Sequence, residues 1–465
     1  MALAEFSIIV ATDSCYGISK DGEIPWKSRS AATFFRETTM GRGRNAVIMG
    51  RVTYEKIPPE VRPLEGRYCV VISRTWNQTD HPEVTVCSTL LDALILIGGT
   101  RKSYDEVIIA GGEQLYHEAL DKFMYLCKRV YVTKFKTDYS CDQFFPWDAV
   151  SHYGHFKDVQ KTRDFTRYCI APNVQHQENQ YLNSLETILE KGTARSDRTG
   201  TGTVSVFGLT MEYDISTHLP VITTKKINYE NVIKELLFFV SGSSDAKKLS
   251  SQGVKIWDAN TSREALDRLD LHEYEEGDMG PMYGHQWRHW NAPYEGADKN
   301  YNEMGIDQLE GVIESIKTDP FSRRHIISTW NVEQLSEMCL NPCHVLCQFY
   351  VSSDRKTLDC MLYQRSADMF LGVPYNIVSY SILTYMVAHL TNLKPGRFIH
   401  TIGDAHIYST HVNAVKKQLG RTPQPQPTMR FRGATRIHEI DDFKLESFII
   451  EDYSSWPHIS GKMAV

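Results

Sequence analysis

The sequence predicts two domains in series: an α/β domain built on a mostly parallel, twisted sheet flanked by helices, then an α+β domain. Three observations carry this. At 465 residues the chain is longer than one ordinary core accommodates. Up to about residue 170, short runs rich in Val and Ile ("FSIIVAT", "NAVIMG", "RYCVVISR", "EVIIAGG", "RVYVTKF") alternate with helical stretches, the pattern of a parallel sheet covered by helices. The stretch "APNVQHQENQ", residues 171–180, is polar, carries a proline and has no periodicity, so it reads as a linker between a domain at 1–170 and another at 181–465.

From Tyr181 the order begins with an amphipathic helix, "YLNSLETILEKG", and a Gly/Thr-rich turn, "DRTGTGT". The apolar helices "NVIKELLFFV" and "NIVSYSILTYMVAHL" are interrupted by charge or hydroxyls and fall short of the ~20 residues a bilayer needs, so they read as core helices. Pro342 is expected to break a helix over "VEQLSEMCL". The run "VLCQFYVSSDRKTLDCMLYQRSADM" is two strand patterns around a polar turn, a hairpin. If Val351 pairs near Leu358, the antiparallel register brings Cys343 opposite Arg365 and Ser366.

Composition limits the function. Hydrophobic residues make up 42%, charged residues 23%, and the net charge is -6, the balance of a soluble globular protein. Mild acidity argues against non-specific nucleic-acid binding, so recognition of a phosphorylated ligand falls to local arginine clusters. "MALAEFSIIVATDS" has no basic leader and no cleavage site after a long apolar run, so no signal peptide is expected and the protein is placed in the cytoplasm. Ten cysteines without a CxxC pair suggest reduced thiols, most of them packed.

No dinucleotide fingerprint is present, because the glycines of "GRGRNAVIMG" precede a strand, and no P-loop occurs. Cys339, Cys343 and Cys347 mimic a ligand row, yet on a strand at ~3.3 Å per residue Cys343 and Cys347 lie roughly 13 Å apart, too far for one zinc. No metal is expected. A guanidinium beside Cys343 would favour its thiolate, so among the cysteines this one has a reason to be reactive; a buried thiol at a strand start remains the alternative. Arg198, Arg323 and Arg324 read singly as solvated charges, and converging on one place they would form a phosphate site.

The segments "DRTGTGT", "KELLFFVSG", "KIWDAN", "GPMYGHQWR", "SRRHIIS", "NPCHVLCQFYV", "YQRSADMFLGVPYNI" and "GDAHIYSTH" fall in one order, and residues 181–465 thereby resemble the thymidylate synthase family. The resemblance implies methylation of deoxyuridylate (dUMP) with 5,10-methylenetetrahydrofolate, giving dihydrofolate, and a homodimer. Carried over position by position, Cys343 adds to carbon 6 of the uracil. Arg198, Gln364, Arg365 and Ser366 hold the nucleotide, with Arg323 and Arg324 reaching in from the partner subunit. Asn376 reads the pyrimidine edge, since an amide both donates and accepts, which suits uracil. His406 and Tyr408 match the ribose contacts. Glu235, Tyr283 and His344 match the water and proton network. Asp368 faces both ligands, and Trp257, Leu371, Gly372, Tyr375 and Ala464 line the folate site. The tail "KMAV" resembles one that closes over the ligands.

The pieces "IIVATDSCYGISKDGEIPW", "VIMGRVTYEKIP", "RPLEGR", "VVISR", "IIAGGEQLY" and "YVTKF" make residues 1–170 resemble dihydrofolate reductase, with the α/β fold of that family. Gly50, Arg51 and Thr53 then lie where a strand meets a helix N-terminus suited to pyrophosphate, and Gly111 and Gly112 let backbone approach the cofactor closely. Ser73 and Arg74 match contacts to a 2′-phosphate, so NADPH is expected over NADH; Ala11, Ile18 and Tyr116 complete that site. Arg67 matches the partner of the folate glutamate, and Ile9, Phe35 and Thr133 line the pocket. One departure stands out. Ala31 falls where the family carries the Asp or Glu that promotes protonation at nitrogen 5, and Ala32 at a usually larger apolar position. Glu37, six positions on, is about 240° around the helix and faces elsewhere. The expectation is an intact cofactor site with weak or absent reduction of dihydrofolate. The chain is then a fused reductase and synthase, or a synthase carrying a non-catalytic NADPH-binding or scaffold domain.

Overall fold

The computed structural model describes residues 2–462 except 77, 80, 101–103, 152–155, 173, 198 and 199; for 156–159 only the backbone is described. The chain forms two compact units, Met1–His176 with Gly420–Thr422, and Gln177–Leu419 with Pro423–Val465.

In the first unit, strands β1 (Phe6–Thr12), β2 (Gly17–Ser19), β3 (Asn45–Gly50), β4 (Arg67–Ile72), β5 (Thr85–Cys87), β6 (Val107–Ile109), β7 (Cys127–Phe135), β8 (Gln143–Phe144), β9 (Phe156–Lys161) and β10 (Phe165–Ile170) follow in chain order. Eight of them form one sheet in the order β5-β4-β3-β6-β1-β7-β10-β9, and β2 pairs with β8 apart from it. Pairing is parallel from β5 through β7 and antiparallel for β7 with β10 and β10 with β9. The Val/Ile runs fill the sheet because both of its faces are covered: Ile8, Val47, Ile48, Val70, Ile108 and Val130 are fully buried. The helix Arg29–Met40 starts where the Ser28 hydroxyl accepts from the Ala31 N–H at 3.3 Å and stops at Gly41, whose φ is 53°.

The second unit opens with the helix Asn179–Lys191. Asn179 and Gln180, polar and read as linker, form its first turn. Strands β11 (Thr193–Arg195), β12 (Thr203–Asp214), β13 (Ile326–Ser328), β14 (His344–Val351), β15 (Thr357–Asp368) and β16 (Lys394–Tyr408) build a sheet in the order β11-β12-β16-β15-β14-β13. It is antiparallel except between β15 and β16. One face packs on the apolar helices Tyr229–Val240 and Val373–Leu390. The second of these is buried on nearly every side. On the sheet's other face Phe207, Tyr350 and Met361 are 84%, 63% and 42% exposed.

The hairpin register holds, with Val351 opposite Leu358. The helix expected over "VEQLSEMCL" is only a 3-10 turn, Val332–Glu337; it ends well before Pro342, so proline is not what stops it. No helix among the described residues is long and apolar enough to cross a membrane.

Candidate functional site

Cys343 sits just before β14, half-buried, with its backbone held on two sides. Its N–H donates to the Tyr283 hydroxyl at 2.9 Å, and its carbonyl accepts from the Arg365 N–H at 2.9 Å. Continuing the register of Val351 and Leu358 would set Cys343 opposite Ser366. A shift between His344 and Leu346 sets it opposite Arg365 instead. The extra residue of a bulge re-aims a strand end. The Arg365 guanidinium donates from Nε to the Pro342 carbonyl at 2.9 Å and from Nη2 to the Asn341 carbonyl at 2.7 Å. Positive charge is therefore fixed against the backbone that delivers the thiol.

Around it lies a set of buried titratable groups. Burial pushes the His344 imidazole down to about 4, opposed by a hydrogen bond with Asn376, so the ring is neutral at pH 7. Its ring lies 5.1 Å from that of Tyr283 and 5.2 Å from that of Tyr380. Desolvation pushes the Glu235 carboxyl up to about 7, opposed by the Trp257 indole N–H, which donates to Glu235 Oε1 at 2.9 Å. The Tyr283 phenol is raised by burial and by the neighbouring Cys343. His400 Nε2 lies 2.8 Å from Gln364 Oε1 and fixes that amide.

The C-terminal ends of β15 and β16 bring in the rest. Ser366 pairs with Asp404 and Asp368 with His406; His406 Nδ1 is 3.1 Å from Asp404 Oδ1, and its ring is 5.2 Å from that of Tyr408. Asp368 Oδ1 accepts from the N–H groups of Phe370 and Leu371 at 2.9 and 3.0 Å. This turn launches the Val373–Leu390 helix, whose first turn carries Tyr375 and Asn376, with the Asn376 N–H on the Gly372 carbonyl at 3.1 Å. Arg198 and Ala464 lie outside the described residues.

Arg323 and Arg324 are exposed and are not brought to Cys343 within the chain. The Phe349 N–H donates to the His325 carbonyl at 2.9 Å, which sets these arginines level with the far half of β14, roughly 20 Å away at ~3.3 Å per residue.

Two residues escaped the sequence reading. Lys225 is buried with Nζ on the Phe370 carbonyl and 3.6 Å from that ring's centre; burial lowers it to about 7 and Asp368 opposes this. His411 places Nδ1 3.9 Å from Asp368 Oδ1 and Nε2 2.8 Å from the Lys462 carbonyl, which seats the described part of the tail beside Asp368. Lys225 follows the run "LPVITT", and His411 is the last residue of the segment "GDAHIYSTH".

In the first unit the Arg29–Met40 helix packs on one face of the sheet. Ile9 pairs with Tyr131, Ala11 with Thr133, and Thr133 with Arg167 on β10. Ala31 packs on the cluster of Trp26, Phe135 and Phe165, and Phe34 and Phe35 pack beside Ile9 and Tyr131. Among the described residues no acid is hydrogen-bonded to Thr133. Its Oγ1 accepts instead from Arg167 Nε at 3.2 Å. Burial lowers the Arg167 pKa, opposed by the charge of the exposed Glu37. The Arg67 guanidinium donates to Thr39 Oγ1 at 2.8 Å and is desolvated, which lowers its pKa.

At the strand ends Gly50 and Gly112 each begin a helix with no side chain capping it, and the Gly50 N–H donates to the Gly111 carbonyl at 2.8 Å. Gly111 has φ +116°, and a Cβ there would stand 3.4 Å from Thr53 Oγ1 and Tyr116 Oη, so only glycine suits the position. These uncapped N–H groups over a bare glycine pair fit a pyrophosphate. Tyr116 Oη donates to the Ile9 carbonyl at 2.7 Å. Arg51 pairs with Glu55 at 2.9 Å. The Ser73 hydroxyl accepts from the Trp76 N–H at 3.1 Å within a tight turn, with Arg74 exposed beside it. Ile18 is half-buried in the β2–β8 ribbon.

Residues 5–170 match the dihydrofolate reductase family and residues 179–465 the thymidylate synthase family. The chain is 39% identical over 504 residues to bifunctional dihydrofolate reductase-thymidylate synthase 1 of Arabidopsis thaliana, covering 99% of this chain and 96% of that protein. The chain belongs to the bifunctional dihydrofolate reductase-thymidylate synthase family. The enzyme of that name from Leishmania major is 39% identical over 501 residues, at 100% and 96% coverage, and that of Zea mays 38% over 510, at 99% and 97%. Membership makes this chain an enzyme of nucleotide and one-carbon metabolism, a methyltransferase and an oxidoreductase in one polypeptide.

Proposed function

We propose that the synthase half methylates dUMP to dTMP with Cys343 as nucleophile. The observation that carries this is the seat of Cys343, its backbone held between the Tyr283 hydroxyl and Arg365. Its thiolate adds to carbon 6 of the uracil, and carbon 5, now enolate-like, attacks the one-carbon unit of methylenetetrahydrofolate. Asn376, tied to neutral His344, reads the uracil edge, while Glu235, with its carboxyl near 7, holds and returns protons at the ring. Arg198, Gln364, Arg365 and Ser366 hold the nucleotide, His406 and Tyr408 the ribose, and Trp257, Asp368, Leu371, Gly372, Tyr375 and Ala464 the folate. Tritium release from 5-labelled dUMP tests the reading. The Cys343→Ser chain should fall by on the order of 10³-fold or more; undiminished release overturns it.

We propose a homodimer through the open sheet face bearing Phe207, Tyr350 and Met361, whose exposed apolar side chains support it. Arg323 and Arg324, remote from their own Cys343, then serve the partner's nucleotide.

In the reductase half NADPH lies along the Gly50 and Gly111–Gly112 ends, with Ala11, Ile18, Arg51, Thr53, Ser73, Arg74 and Tyr116 around it; when bound it supplies a hydride. Dihydrofolate takes the cleft of Ile9, Ala31, Phe35 and Thr133, its glutamate toward Arg67. Without an acid at position 31, reduction loses a charged hydrogen bond, about 1.5 to 3 kcal/mol, and a proton donor, typically about 10²- to 10⁴-fold in rate. Ala31 also favours a second reading, a synthase with a non-catalytic NADPH-binding domain. Steady-state NADPH oxidation with dihydrofolate by the full chain separates them: slow saturable turnover supports the first, and NADPH binding with no turnover the second.

A further inference from the structure

Resting on the reading of Asp368 as a folate contact of the synthase half, we infer that His411 is a positioning residue for that folate. It fixes the end of the chain by donating from Nε2 to the Lys462 carbonyl, and so sets how tightly methylenetetrahydrofolate is held while taking no part in holding dUMP.

His411 ends the 3-10 turn Ser409–His411 that follows β16, and its side chain is 1% exposed. The ring lies between Phe370, 5.2 Å away centre to centre, and Tyr408, 5.8 Å away and nearly perpendicular. Lys225 Nζ, 3.6 Å from the centre of the Phe370 ring, pins that neighbour in turn. His411 Nε2 stands 2.8 Å from the Lys462 carbonyl. A carbonyl only accepts, so Nε2 carries a proton. Moving that proton to Nδ1 would lose the bond and gain nothing: Asp368 Oδ1 is 3.9 Å off, beyond hydrogen-bond reach, and already accepts from the Phe370 and Leu371 N–H groups. Nδ1 has no hydrogen-bond partner among the described residues. The ring thus directs its donor to the tail and leaves Asp368 to the folate. The tail is shaped to the same contact. A Cβ on Gly461 would stand 2.8 Å from Phe370 Cε1 and 3.1 Å from His411 Nε2, so glycine is what lets the chain come this near.

The size of the effect follows from chain reach. Upstream, the tail is fixed where the Trp456 N–H donates to the Thr223 carbonyl at 2.8 Å and where Ile459 is buried. Ala464, proposed above to line the folate site, comes two residues after Lys462 and five after Ile459. At up to ~3.5 Å per residue those stretches span about 7 and about 17 Å. Losing the His411 contact therefore enlarges the volume open to position 464 by the cube of the ratio, on the order of 10-fold. The local concentration of the tail at the folate falls by the same factor.

Tritium release by the full chain gives KM for methylenetetrahydrofolate, and isothermal titration gives the dissociation constant for dUMP. His411→Leu should raise that KM by on the order of 10-fold and leave the dUMP constant unchanged, while residues 459–462 exchange their amide hydrogens faster. His411→Gln, whose amide nitrogen reaches where Nε2 stands, should restore KM and exchange. His411→Asn, whose nitrogen falls at the Nδ1 position beside Asp368, should restore neither. A purely structural role predicts instead that the dUMP constant rises with KM, or that the Asn chain equals the Gln chain. Either result overturns the proposal, as does an unchanged KM in His411→Leu. Should His411→Leu fail to fold, Gly461→Ala, which pushes the tail away from the ring, should raise KM in the same way; an unchanged KM there overturns the proposal equally. If the unaltered chain releases no tritium with dUMP and methylenetetrahydrofolate, the synthase reading itself fails, a result distinct from an unmoved KM.

Discussion

Replacing Glu235 by Gln removes a charge whose cost can be worked from its surroundings. Desolvation lifts the carboxyl from the ordinary 4.5 to about 7. Gln keeps an oxygen for the Trp257 indole, so the change is one of ionisation rather than packing. Between 4.5 and about 7 the folded chain retains a proton that the unfolded chain has released. The stabilisation is therefore complete below the first value and lost as pH rises through the second. Each pH unit of displacement is worth ~1.4 kcal/mol, so the whole loss is about 3 kcal/mol. The Gln chain has nothing to lose. Thermal unfolding of the synthase transition, recognised by its shift with dUMP, should show the variant gaining on the parent between pH 5 and pH 8.5, by roughly 6 to 12 °C at ~2 to 4 °C per kcal/mol. The alkaline limb of turnover near pH 7 should vanish in the same variant. A melting difference that stays flat with pH refutes the desolvated carboxyl and its proton-carrying role together.

Co-expressing Cys343→Ser chains with Arg323→Ala/Arg324→Ala chains should restore activity, because a mixed dimer keeps one site with an intact thiol and intact donated arginines; no restoration in proven mixed dimers refutes the donation. Asn376→Asp should shift preference from dUMP toward the cytosine nucleotide by about 10- to 100-fold, the value of one or two matched hydrogen bonds, read as the ratio of dissociation constants; an unchanged ratio removes Asn376 from base reading. Phe207→Glu with Tyr350→Glu should lower the sedimentation coefficient to that of a single chain and abolish tritium release; a dimer that persists places the interface elsewhere.

What could be read from the sequence was local. The Val/Ile runs of β1, β3, β4, β6 and β7 and the hairpin of β14 and β15 announce themselves by periodicity and turn chemistry, and the hairpin register is enough to put Cys343 near Arg365. The shift at His344 could not be counted from spacing, because a bulge depends on pairing partners as well as on its own strand. The 3-10 turn Val332–Glu337 looked helical because its apolar spacing is the same over so short a run. Lys225, His411 and Arg167 needed the fold itself. Each acts on a residue far away in sequence, and Arg167 meets Phe34 only because β10 runs antiparallel to β7. The absence at Ala31 was visible in the sequence; what occupies its neighbourhood was not.

The helix Val373–Leu390, which carries Asn376 in its first turn, has hardly a wet side. An amide mounted there cannot wander without dragging the interior along, unlike one on a surface loop that breathes independently. Discrimination between pyrimidines should accordingly survive warming almost undimmed and then disappear in a single step with the fold.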